Sequence, residues 1–390
     1  MTGHLLGALA RRGFEAAHAH WQPANGQSDV DGVKKILGKV PTWGVVLMAI
    51  TFVLFVLLGS SVEYIIRLVY AHLAMIETPE TTVEVHVYQP ASVEDAKIVQ
   101  NLVEAGLIEE SALNPEPTIT EHRNAITSSL HRTKAHITNI AGPKARWRGL
   151  PIFILYVLTV SVTGWILKKP LRLELLPLGN VMVDIFAAVF AARLHCAWTH
   201  KVISMPSDKK LRQRMISRAQ WKELALPTAL SAGAHGVVFE GVKIMHHFSA
   251  EACRVLDAHQ INKALLVLVA VVPVLIGVAV LSLFILLPAY VTLVRKEASL
   301  LSPEEETIVP MDRTFGGRIQ YIGAKLNIGD AWNSFTWEAR RRLIKLYVKF
   351  FFVMSALMLL FVHLIALEFL LALGGDAKNV LQDIQSHIKM

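Results

Sequence analysis

Apolar residues in this chain gather into runs too long for a soluble core. Trp43–Val62 (WGVVLMAITFVLFVLLGSSV) and residues 150–167, 264–294 and 350–373 each reach the length needed to cross a bilayer core, about 18–20 apolar positions at about 1.5 Å of helical rise each. Leu175–Trp198 is a fifth run of sufficient length. Residues 225–247 form a weaker sixth, in which His235, Glu240 and Lys243 interrupt the apolar pattern. A charge at bilayer centre costs about 2.5–3.5 kcal/mol on insertion scales, so this stretch reads as a span or, alternatively, as a re-entrant or surface helix. The pattern predicts an all-α membrane protein, a polytopic bundle of five or six transmembrane helices.

Between the runs the period changes. Residues 1–41 are a polar tail with a linker-like centre (QPANGQSDVDG), and a first helix is expected over 42–76, ending before Pro79. Residues 77–148 are the longest polar stretch. There Val83, Val85 and Val87 alternate as in a strand, and Ser92 with Asp95 forms a capping box. Further on, Ile126, Leu130 and Ile137 recur at helical spacing with basic residues on the other faces, the pattern of a helix lying on a membrane surface. The region is therefore expected to be a small α+β extramembrane module. Residues 149–374 form the bundle, with basic loops at 200–224 and 295–349, and 375–390 a C-terminal tail. Pro273 and Pro288 fall inside the long run 264–294, where neighbouring helices absorb a kink.

Composition agrees. Hydrophobic residues make up 53% and charged residues 18%, with a mean hydropathy of +0.43. The net charge of +8 concentrates beside the spans, which points to anionic lipid headgroups as a partner, and no nucleic-acid-binding motif accompanies it. Lys209, Lys210, Arg212, Arg214 and Arg218 are the candidate headgroup contacts. By the positive-inside rule the two basic loops of a six-span chain place the N-terminus outside, although Lys34, Lys35 and Lys39 argue the reverse. Two cysteines exclude a disulfide framework. The opening segment (MTGHLLGALARRGFEAAHAHW) has too short an apolar region for a secretory signal and is weakly similar to a mitochondrial presequence. No organelle follows from the sequence.

Candidate chemistry is sparse. His195 and His200 in RLHCAWTH are five residues apart, roughly 140° around a helix, and so do not share a face. With Trp198 and Arg193 they read as a basic, aromatic rim at the water boundary. His246, His247, Cys253 and His259 form a second, loose cluster without metal-ligand spacing. Asp184 is more informative, because an ionisable group well inside a span is a functional hypothesis by default. Asn180, Asp184, Ala188, Ala191 and His195 recur in phase, a small and polar stripe that should face protein. His363 and Glu368 lie deep in the last run. An Asp184–His363 pair handling ions or protons is one reading, and an interhelical bond that fixes packing is the other. Glu63 and Arg67 read as a solvated i,i+4 ion pair where the first helix leaves the membrane. Phosphate-binding, nucleophile-elbow and dinucleotide motifs are absent, and no cofactor is expected.

LLPAYVTLVRKEASLLSPEEETIVPMDRTFGGR (286–318) and ARLHCAWTHKVISMPS (192–207) resemble segments of a group of filamentous-fungal multi-span membrane proteins sometimes labelled "ubiquitin carrier protein". The resemblance covers roughly 150–375 and implies a multi-span fold without assigned catalytic residues. Ubiquitin conjugation itself needs a nucleophilic Cys beside a His-Pro-Asn element in a soluble domain. Here Cys196 closes an apolar run, Cys253 follows a weakly apolar one and His-Pro-Asn does not occur, so that label does not fit the chemistry. The sequence thus leads to an accessory or scaffold membrane protein contacting anionic lipid, with a transporter or channel using Asp184 and His363 as the alternative.

Overall fold

The computed structural model describes residues 40–78, 125–171, 178–258, 263–319 and 325–376. Val83–Val87, Ser92, Asp95, His259 and, apart from 40–41 and 375–376, both tails lie outside the described residues. Among the described residues there is no strand; a lone antiparallel bridge joins Ser204 to Thr307. The α+β character expected for 77–148 is therefore not supported. Its described elements are two 3-10 turns, Ile126–Ser128 and Ala145–Trp147, on either side of α2, Leu130–Ala141. One face of α2 packs on the protein: Thr133 and Ile137 are buried, and His136 Nε2 is 2.9 Å from the Ile308 carbonyl.

The long helices are α1 (Thr42–Ile76), α3 (Leu150–Leu171), α4 (Gly179–Ile203), α5 (Arg218–Ala258), α6 (Lys263–Leu281 continuing through Ser282–Leu286 to Ser299) and α8 (Trp337–Leu373), with the short α7 at Ile328–Asn333. Both α1 and α6 widen into π-helical turns, over Glu63–Tyr70 and Ser282–Leu286. Thr336 caps α8, its hydroxyl accepting from the Ala339 amide. Five helices are long and apolar enough to cross a membrane; α5 is long enough but carries too many polar residues.

Residue contacts give the directions. Gly44 of α1 meets Ala372 and Gly59 meets Met354, so α1 and α8 run antiparallel. Gly149, at the entry to α3, meets Trp198, near the end of α4. On α5, Gly236 meets Val181 and Gly241 meets Leu281, while Trp221 Nε1 donates to the Val189 carbonyl. Helix α5 therefore lies antiparallel to α4 and α6 over most of its length, its Leu226, Leu230, Val237 and Phe248 exposed like the faces of the recognised spans. Gly236 is what permits the approach, since a Cβ there would sit 2.4 Å from Val181.

The helices alternate in direction, so Ile76 of α1, the start of α3, Ile203 of α4, Arg218 of α5, Ser299 of α6 and Trp337 of α8 all lie at one end, here the basic end. At that end Leu68, Trp198, Val291, Phe335 and Leu343 belong to one buried apolar cluster with Ile137 and Ile308. Toward the other end most side chains of α1, α3, α6 and α8 point outward. In the apolar windows of these helices 6% or fewer of the residues are buried, against 56% in α4, which identifies α4 as the central helix. So large an exposed apolar surface suits a lipid neighbour.

Candidate functional site

The polar stripe of α4 faces a cavity of about 640 Å³. Asn180, Asp184, Ala188 and His195 line one wall, Tyr156 and Lys168 of α3 a second, and Tyr290 and Leu293 of α6 close the inner end. The remaining wall is α5, where Thr228, Ser231, His235, Glu240 and Lys243 turn inward. These are largely the residues that weaken α5 as an apolar run. At helical spacing they form its cavity face, with the apolar residues on the other side. From Asn180 to His195 the cavity follows α4 for about 22 Å of helical rise.

Its outer part is charged and paired. Lys168 Nζ lies 2.9 Å from Asp184 Oδ1, and Lys243 Nζ lies 2.9 Å from Glu240 Oε1. Lys243 also sits 4.5 Å from the centre of the Phe239 ring. Between these pairs and the inner end, the Thr228 hydroxyl is buried with no hydrogen-bond partner.

The inner end rests on a buried polar hub. The Glu297 carboxylate of α6 is completely buried. Its Oε1 is 2.7 Å from His195 Nδ1, and its Oε2 accepts from the Thr199 hydroxyl at 2.5 Å. His200 Nε2 lies 2.8 Å from the Glu297 backbone oxygen and 3.5 Å from Cys196 Sγ. Helical phase does separate His195 from His200, yet α6 passes on the side where both reach the same residue. The expected rim at the water boundary is thus corrected: His195, Cys196, Trp198 and His200 are buried in protein, and Arg193 donates to the Ile216 carbonyl. Glu297 escaped the sequence reading because Arg295, Lys296 and Glu297 look like the first residues of a basic loop. The signal was there in phase, since Tyr290, Leu293 and Glu297 are successive turns of one face.

Other expected residues separate. His363 is exposed on α8, with Nδ1 2.7 Å from its own Leu359 carbonyl, and it does not line the cavity. Glu368 accepts from the Thr51 hydroxyl at 2.5 Å. The Asp184–His363 pair is therefore not formed; Asp184 has Lys168 instead. Glu63 and Arg67 do pair, at 2.5 Å.

Of the candidate headgroup contacts, Lys209, Lys210, Arg212 and Arg218 are exposed. Arg214 is corrected: its side chain is buried, donating to Ser204, Ser207 and Glu305. Lys209 also pairs with Glu305, at 2.7 Å. Burial alone would raise the Glu305 carboxyl, but the Lys209 hydrogen bond and the charges of Arg214, Lys209 and His200 outweigh it and hold its pKa below the ordinary value.

Among the described residues no three His, Cys, Asp or Glu side chains gather to hold a metal ion. No family model, curated protein or solved structure matches the chain.

Proposed function

We propose that this membrane protein transports a small solute through the cavity between α3, α4, α5 and α6, with α5 serving as a sixth crossing helix. The observation that carries the reading is the cavity itself. It brings Lys168, Asp184, Glu240, Lys243, His195 and His235 together among helices whose outer faces are apolar, and intramembrane ionisable groups mark solute and ion pathways. Two ammonium and two carboxylate groups balance each other in the lining. A solute with a net charge would leave that charge uncompensated in a low-dielectric site, whereas a zwitterion exchanges ion pairs with the walls. A small zwitterion such as a free amino acid is therefore the solute class. The basic end is the cytosolic one under the positive-inside rule, with both described chain ends on the opposite side.

The test is uptake of a labelled amino-acid mixture by proteoliposomes holding the full chain. We expect Asp184→Asn to lower uptake about tenfold or more, the scale of a lost charge-assisted contact, and His363→Leu to leave it unchanged. Uptake indifferent to Asp184→Asn would sink the reading.

A second role, contact with anionic lipid at the basic end, is supported by the exposed Lys210, Arg212 and Arg218. Phosphatidylserine should raise the melting temperature of the wild type in detergent, and neutralising these three residues should remove that gain. An equal gain in the triple variant would reject the role.

A further inference from the structure

The inner end of the cavity carries a group that solute binding alone does not require. Glu297 is completely buried and, among the described residues, no Lys or Arg forms an ion pair with it; its ionisable partner is His195. A carboxylate without a cation in such a place is costly. The pair is neutral when it holds one proton in addition to those of a neutral imidazole and an ionised carboxyl. His195 lines the cavity, and Nδ1 is engaged by Glu297, which leaves Nε2 as the ring nitrogen on the cavity side.

We infer that the His195–Glu297 pair is a proton-binding site whose loading is coupled to the solute in the cavity, an inference that rests on the transport reading only for the coupling. In the loading step the lone pair of His195 Nε2 takes a proton from a hydronium ion in the cavity. One N–H bond forms, one O–H bond breaks, a water molecule is left, and the imidazolium neutralises Glu297. Release reverses the same step. The imidazolium then offers a positive charge to the solute carboxylate, so proton and solute move in the same direction.

The surroundings favour this use. Aromatic rings box the imidazole, with centroids at 5.1 Å for Tyr156, 5.3 Å for Trp198, 6.3 Å for His72 and 6.4 Å for Tyr290. His72 cannot serve equally, since Nδ1 is held 2.7 Å from the Leu68 carbonyl and Nε2 lies beside the Tyr290 hydroxyl. Beyond these rings, from the other elements, the next ionisable groups are Tyr64 of α1 at the Trp198 indole, Arg67 of α1 beside His72, and His235 of α5 and Tyr347 of α8 beside Tyr290. Cys196 and His200 flank the hub on α4, with Arg214 and Glu305 beyond them. Arg67 and Arg214 already have carboxylate partners in Glu63 and Glu305, so neither supplies the charge that Glu297 lacks.

Two readouts test it. A protonated imidazole quenches a nearby indole, so the Trp198 fluorescence of the purified full chain, taken as the difference from Trp198→Phe, should titrate with pH. Glu297→Gln keeps the shape of the side chain but removes the partner charge, and its titration curve should no longer coincide with that of the wild type. His195→Gln should abolish the titration. No titration in the wild type, or one unmoved in Glu297→Gln variants of unchanged melting temperature, overturns the proton site. In proteoliposomes loaded with a pH-sensitive dye, the labelled amino-acid mixture should acidify the lumen as it enters. Uptake without acidification overturns the coupling. Absence of uptake with the titration intact overturns the transport reading and the coupling, and leaves the proton site standing.

Discussion

Helix α1 passes through two environments without a break. Over Thr42–Val62 its side chains are mostly exposed, with Leu54 and Leu57 among the most open, whereas nearly all of Tyr64 and Leu68–Ile76 is buried. Helix α8 repeats the contrast in reverse: Ala339, Leu343 and Leu346 are buried, and Phe352, Leu359 and Leu371 are exposed. Where the two helices meet in the outward-facing half, contact comes from small and flat groups. Gly44 lies on Ala372, and the Phe55 and Phe361 rings stack at 4.1 Å. Lipid tails are as apolar as the helices, so close packing and hydrogen bonds must hold them together. At the basic end, burial from water drives association, and the core is large enough to enclose charges. Arg295 is enclosed there between the Phe315 and Phe335 rings.

Three perturbations would break or sharpen that contrast. The largest is Arg295→Ala. The guanidinium donates to the carbonyls of Ala331, Met75 and Ser334 and to the Ser334 hydroxyl. Removing it leaves buried acceptors without donors, at about 1–3 kcal/mol for each unsatisfied group. The melting temperature in detergent should fall by many degrees, and a fall of only a degree or two would show that the basic-end core does not depend on its buried charges. A smaller effect is expected from Thr51→Val in the half whose apolar side chains point outward. It removes the hydrogen bond to Glu368, a class of interaction worth about 0.6 kcal/mol on average in membranes. A loss as large as that of Arg295→Ala would erase the distinction between the halves.

The smallest concerns Glu305 at the basic end, whose pKa lies below the ordinary 4.5. A depressed carboxyl contributes stability above its unfolded pKa and loses it as pH falls through the folded value. Melting temperature should therefore drop as pH is lowered from about 4.5, and drop less steeply in Glu305→Gln. Lys209 is exposed, so screening keeps the effect below about 1 kcal/mol. Parallel pH curves for the two proteins would contradict it.

Much of the fold was legible because lipid imposes a simple rule on residues. Runs of apolar side chains long enough to span announce themselves, and the stripe Asn180–Asp184–Ala188–His195 announced a protein-facing side of α4. The partners of that stripe were not legible. His363 looked like a counterpart for Asp184 by depth alone, but α8 packs on α1 and not on α4, and depth carries no information about neighbours. Thr228, Ser231, His235, Glu240 and Lys243 counted against α5 as a span when averaged along the chain. Sorted by helical face they form the wall of a cavity. Arg214, grouped with its exposed neighbours as a headgroup contact, folds inward, where Ser204, Ser207 and Glu305 accept from its two terminal nitrogens.

The amino-acid pattern alone decides which stretches are long and apolar enough to cross a membrane and which face of α4 is polar, because hydropathy and helical phase are local properties. Which helices adjoin, that α5 stands between α4 and α6, and that His195 meets Glu297 across 102 positions of sequence were decided by tertiary packing. Side-chain shape and the matching of buried charges select those neighbours, and neither is written in any one segment.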